Sequence, residues 1–125
     1  MDMAFTEREL DVMSVLWEFG PARVAEVQEQ IRDVLAYTTV LTILRTLEEK
    51  GHVRHEAEGR AYRYYPLVDR NAAVASALRR LVRKEFSNSP ELLLTQLVSE
   101  GGMTTKQLEG MRKLLDDRLD AKERG

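Results

Sequence analysis

The sequence predicts a mainly α-helical chain carrying one small β-hairpin, and three observations predict it. Apolar residues recur at spacings of three and four in six separate runs, the period of helices with one buried face. A single stretch, HVRHEAEGRAYRYYPL, departs from that period and sets β-branched and aromatic residues on either side of Glu58-Gly59. Capping residues and glycines stand where the helical periodicity starts and stops.

The elements follow in order. Thr6-Glu7-Arg8-Glu9 is a capping box, with Thr6 as N-cap and Glu9 three residues on. Leu10, Met13, Leu16 and Trp17 then mark one helical face, and Gly20-Pro21 ends the helix. A second helix follows with Val24, Val27 and Ile31. The third, YTTVLTILRTLEEKG, sets Val40, Ile43, Leu44 and Leu47 on one side and ends at Gly51, expected to be left-handed. After it the hairpin runs to Pro66. Three short helices and then a hairpin is the order of a winged helix-turn-helix, assigned here to residues 1–70.

Residues 71–125 predict a three-helix domain. A long helix starting near Asp69-Arg70-Asn71 carries Val74, Leu78, Leu81, Val82 and Phe86 on one stripe. Ser89 caps the next helix with Pro90 at its first position, and Leu92, Leu93, Leu94, Leu97 and Val98 follow. Gly101-Gly102 stops it, and Thr104 with Gln107 forms another capping box ahead of Leu108, Met111, Leu114, Leu115 and Leu119. So few residues cannot bury so many leucines alone, which predicts a homodimer whose two-fold axis covers both copies. The expected dimer residues are Leu78, Leu81, Val82, Phe86, Leu93, Leu97, Leu108, Met111 and Leu115.

Composition bounds the function. The 125 residues are 43% apolar and 32% charged, with no cysteine, which excludes disulfides, a thiol nucleophile and thiolate metal ligands. The opening MDMAFTEREL lacks a basic segment followed by an apolar run, so no secretory signal is expected. No apolar run is long enough to span a bilayer, and a cytoplasmic location is expected. The net charge of −2 weighs mildly against a polyanionic partner, but residues 1–33 hold three Lys/Arg against eight Asp/Glu. The acid is therefore concentrated at the front, and local patches decide binding. Phosphate loops, nucleophile elbows and convincing acid–base pairs are lacking, so neither an enzyme nor a cofactor is expected.

The outer face of the third helix carries the functional signal. Thr38, Thr42, Arg45 and Glu49 share it, and threonine is a costly choice for a merely solvated helix face. A helix lying in the major groove wants short side chains that let its backbone approach, hydroxyls for phosphates and methyls for thymine. The expected DNA contacts are Thr38, Thr39, Thr42, Arg45 and Thr46 on this helix, with Arg54, Arg60 and Arg63 on the hairpin, Arg60 at its tip. The plainer alternative makes Thr38 or Thr39 only an N-cap and pairs Arg45 with Glu49. Tyr62, Tyr64 and Tyr65 are expected to face the core, with strand alternation sending the arginines outward. His52 and His55 would point to opposite faces of a strand, so no metal site is expected. The basic run Arg79-Arg80-Leu81-Val82-Arg83-Lys84 reads as a solvated helix face.

These features together resemble the penicillinase-repressor family, the BlaI/MecI-type regulators. The likeness lies in FTERELDVMSVLW, the helix YTTVLTILRTLEEKGHV, the hairpin GRAYRYYPLV and the tail LLLTQLVSEGGMTTKQLEGMRKLL, nearly the whole chain. It implies a dimeric repressor of β-lactamase or related stress-response genes on a palindromic operator of double-stranded DNA. It also raises a regulatory protease as a partner, since many members are cut near an Asn-Phe bond. Here the corresponding residues run Glu85-Phe86-Ser87-Asn88-Ser89, and the chain holds no Asn-Phe pair. The cysteines of copper-responsive relatives are also missing. Two other readings fit the same elements. One is a winged-helix module that binds protein, favoured by the acidic front half. The other is a regulator holding a small ligand between its domains, for which the tail offers no convergent polar cluster.

Overall fold

The computed structural model describes residues 4–125; Met1–Met3, part of the opening inspected for a secretory signal, lie outside them. The described residues form α1 (Glu7–Phe19), β1 (Ala22–Arg23), α2 (Val24–Gln30), α3 (Tyr37–Glu49), β2 (Val53–Glu58), β3 (Ala61–Pro66), α4 (Arg70–Glu85), α5 (Pro90–Ser99) and α6 (Thr105–Arg124). They divide into two compact units, one ending at Leu81 and the other spanning Val82–Gly125, so the division falls inside α4.

Local chemistry sets the boundaries in the first unit. The Thr6 hydroxyl accepts from the Glu9 amide at 3.1 Å, and the Glu9 carboxylate accepts from the Thr6 amide at 2.8 Å, closing the expected capping box. Gly20, at φ +88°, ends α1. At the end of α3 the His52 amide donates to the Leu47 carbonyl and the Gly51 amide to Glu48, with Gly51 at φ +82°. That is a Schellman closure, and only glycine takes its left-handed position without strain.

The sheet is three-stranded and antiparallel, in the order β1-β3-β2. Sequence reasoning expected the β2–β3 hairpin alone. β1 escaped it because two residues are too few to show an alternation. Ala22 lies opposite Tyr64 and Arg23 opposite Arg63. The hairpin turns on Gly59 and Arg60, Glu58 facing Ala61 across the loop. Gly59 supplies the positive φ that a two-residue hairpin loop requires.

The core lies between α1, α2, α3 and the sheet. Val12, Met13, Leu16, Val27, Val40, Leu44, Leu47 and Val53 are all exposed by 1% or less, and Tyr64 closes the core from β3. The Trp17 indole donates to the Val68 carbonyl at 2.9 Å, tying the chain that leaves β3 back to α1. Glu9 is buried as well, and Lys50 Nζ reaches its carboxylate at 2.8 Å. Burial alone would raise the Glu9 carboxyl, but Lys50 and the Thr6 hydrogen bonds outweigh it and hold it below the ordinary range.

α4 starts on Asp69, whose carboxylate accepts from the Ala72 amide at 2.7 Å. The residues it buries are small, Ala73 and Ser76, while Val74, Leu78 and Leu81 stay exposed. The turn from α4 into α5 places Ser87 and Asn88 at φ +49° and +64°. Ser89 caps α5 and Thr104 with Gln107 caps α6, as their sequences predict. Among the described residues of the second unit none is buried. Of the expected dimer residues, Leu78, Leu81, Leu97, Leu108 and Leu115 are 40–52% exposed, and Val82, Phe86, Leu93 and Met111 are half-buried.

Candidate nucleic-acid interface

The exposed face of α3 is made of residues that the fold does not use. Ala36 is the N-cap and contributes no side-chain bond, so Thr38 and Thr39 are helical residues and not caps. Their hydroxyls bond to no other described residue, and both side chains are exposed. One turn on, the Thr42 hydroxyl donates to the Thr38 carbonyl at 2.9 Å, and that of Thr46 to the Thr42 carbonyl at 3.0 Å. These two positions therefore commit their hydroxyl protons to the helix itself. Arg45 makes no hydrogen bond or ion pair with a described residue, so the alternative pairing with Glu49 does not form. Val40, Leu44 and Leu47, on the opposite side, are fully buried and fix the rotation of the helix.

Between α3 and the hairpin runs a cleft lined by Arg23, Tyr37, Leu41, Arg45, Arg60 and Tyr62, among others. It brings the helix arginine and the hairpin-tip arginine to one concave surface. Arg60 also lacks a charged partner among the described residues. Arg23 is partly neutralised by Glu26 at 3.4 Å and Glu58 at 3.9 Å. Sequence reasoning missed Arg23, Tyr37 and Tyr62 as lining residues. Arg23 belongs to the overlooked β1, and the other two matter only because the hairpin folds toward α3.

The other hairpin arginines are held within the chain. Arg63 makes a two-pronged bond to Glu58, with Nη2 at 2.9 Å from Oε1, and donates to the Pro21 carbonyl at 2.8 Å. Glu26 lies 3.5 Å from the same guanidinium. Glu58 raises the Arg63 guanidinium above its ordinary range, and Arg63 lowers the Glu58 carboxyl in return. Arg54 pairs with Glu56 at 2.7 Å and stacks over the Tyr65 ring at 4.2 Å. The tyrosines do not act as one set, which corrects the expectation that all three face the core. Cross-strand register puts Tyr62 opposite Ala57 and Tyr64 opposite His55 on one face, and Tyr65 opposite Arg54 on the other. Only Tyr64 is buried, while Tyr62 is half-exposed.

The two histidines stand apart. The His52 ring packs on Phe5 with centroids 4.5 Å apart, and burial lowers its pKa. His55 Nδ1 lies 2.8 and 2.6 Å from the two carboxylate oxygens of Glu48. No helix among the described residues is long and apolar enough to cross a membrane.

Three helices around a small sheet, with an exposed polar helix beside a wing, define a winged helix-turn-helix protein of the transcription-regulator class. Residues 5–117 match the penicillinase repressor family, and the chain belongs to that family as a BlaI/MecI-type regulator. It is 34% identical over 111 residues to the transcriptional regulator BlaI of Mycobacterium tuberculosis, covering 86% of this chain and 79% of that one. It is 19% identical over 119 residues to the penicillinase repressor of Bacillus licheniformis, covering 94% and 93%. Among solved structures, monomeric Bacillus licheniformis BlaI in complex with the blaP half-operator superposes with a TM-score of 0.50 at 28% identity. That match covers 58% of this chain and 90% of the other. The transcriptional regulator Tm0710 of Thermotoga maritima, at 21% identity and a TM-score of 0.52, shares the fold over 94% of this chain and 74% of its own.

Proposed function

We propose that this protein is a cytoplasmic, homodimeric repressor that binds a palindromic operator through α3 and the wing. The observation that carries the reading is the outer face of α3. Thr38, Thr39 and Arg45 are exposed and bonded to no described side chain, beside an equally unengaged Arg60 across one cleft. In the major groove Thr38, Thr39, Thr42, Arg45 and Thr46 meet base edges, and Arg60 meets the phosphate backbone. Arg54 and Arg63 reach phosphate only by exchanging their carboxylate partners Glu56 and Glu58 for it. Residues 1–70 read DNA, and 71–125 hold the dimer through the apolar faces of α4, α5 and α6. The kinship with BlaI supports β-lactamase or related stress-response genes as targets.

Two-fold symmetry places the two reading helices about one turn of DNA, ~34 Å, apart or a multiple of it. The test is selection of bound duplexes from a random-sequence pool by the purified protein at physiological salt. An enriched palindrome with that half-site spacing is the expected result. Binding without any motif that vanishes at modest salt would sink the proposal.

A further inference from the structure

The wing does not hang from the sheet by backbone pairing alone. His55, in the middle of β2, faces α3, and its Nδ1–H donates to the Glu48 carboxylate at 2.6 and 2.8 Å. A carboxylate offers only acceptors, so the ring proton sits on Nδ1. The same ring packs on Tyr62 with centroids 4.4 Å apart and on Tyr64 at 5.6 Å. Tyr64 is core, whereas Tyr62 lines the cleft with Arg45 and Arg60. One side chain thus touches the reading helix, the buried sheet residue and the half-exposed wing residue nearest the tip. On the opposite face of the wing, Arg63 grips Glu58 and the Pro21 carbonyl.

We propose that His55 is a positioning residue that fixes the wing relative to α3, through Glu48 on one side and Tyr62 on the other. It presents Arg60 to the backbone at the depth that α3 sets in the groove. The inference rests on the DNA-binding reading above. As a single hydrogen bond at the surface, His55–Glu48 contributes little to folding. Its effect lies in pre-organisation, which spares the wing an ordering cost on binding.

The test has two arms on the full-length chain. Backbone amide relaxation of the free protein reads the wing without DNA. His55→Ala and Glu48→Ala should add microsecond-to-millisecond exchange at residues 57–62 with the melting temperature kept, and His55→Gln, which retains a donor, should restore much of the order. Binding to the selected operator supplies the second arm. His55→Ala should weaken affinity about fivefold. Its combination with Arg60→Ala should be no weaker than Arg60→Ala alone, while its effect should multiply with that of Arg45→Ala. Unchanged wing relaxation in both first variants would overturn the proposal, as would losses that multiply between His55→Ala and Arg60→Ala. Failure of the unaltered protein to select any duplex would instead overturn the DNA reading, with relaxation still deciding whether the clamp exists.

Discussion

In the unit that ends at Leu81, α1, α2, α3 and the sheet enclose their apolar residues. Leu44 and Leu47 have no exposure, and even a glutamate is buried there with its lysine partner. In Val82–Gly125, Leu97, Leu108, Leu114, Leu115 and Leu119 are 40–67% exposed, although their helices are as well capped as α1. Good caps and a leucine-rich stripe are therefore not sufficient for a closed core. A hairpin and three helices can wrap round a centre, whereas two helices and a helix end leave one side open. The first unit is equipped to be stable as a single chain. The second presents the surface through which we propose that two chains join.

That contrast can be broken most severely at Leu44. Leu44→Ala should cost about 2–5 kcal/mol in urea unfolding, because the core around it cannot collapse into the void. A cost under ~1 kcal/mol would mean that the first unit is far looser than its burial suggests. Next comes the pair Leu108→Glu with Leu115→Glu. It should shift sedimentation from dimer to monomer and lower operator affinity by roughly a hundredfold through lost avidity, with the first unit still folded. A dimer that survives both charges would place the interface elsewhere.

Smaller effects sharpen the division of labour within the first unit. Arg45→Ala should relax preference at one base position by about 1–3 kcal/mol in competition binding. Arg60→Ala should weaken all sequences evenly and reduce the salt slope by about one. Neither should change thermal stability, since neither side chain joins the core. Glu9→Gln should cost about 1 kcal/mol by weakening the Lys50 pair and the reciprocal cap. Because the folded Glu9 carboxyl is held below its ordinary value of 4.5, its contribution is complete above that value and is lost as the pH falls through the folded one. Acid unfolding of Glu9→Gln should accordingly be less steep than that of the unaltered chain.

Much of this was legible in the residues. The Thr6–Glu9 and Thr104–Gln107 boxes, the glycine stop at Gly51 and the hairpin at Gly59 are local, and local patterns survive without knowledge of the fold. The unengaged face of α3 was also readable, because threonines on an outer helix surface contradict propensity. What stayed hidden depends on distant residues meeting. β1 has no period, Arg63 finds Glu26 and Pro21 only after the sheet forms, and His55 meets Glu48 across the α3–β2 turn. Alternation along YRYY was visible, but which tyrosine it buries depends on where β3 lies against Ala22 and His55.

The hydroxyl bond from Thr42 to the Thr38 carbonyl changes what counts as a conservative replacement there. With its proton spent inside the helix, Thr42 offers the outside world a methyl group and oxygen lone pairs, and no donor. To a groove it is nearer in kind to valine than to serine, although serine is the usual stand-in. A lineage drifting from threonine to valine at this position would keep the apolar half of its surface chemistry. One drifting to serine would discard that half while keeping only a hydroxyl already turned inward.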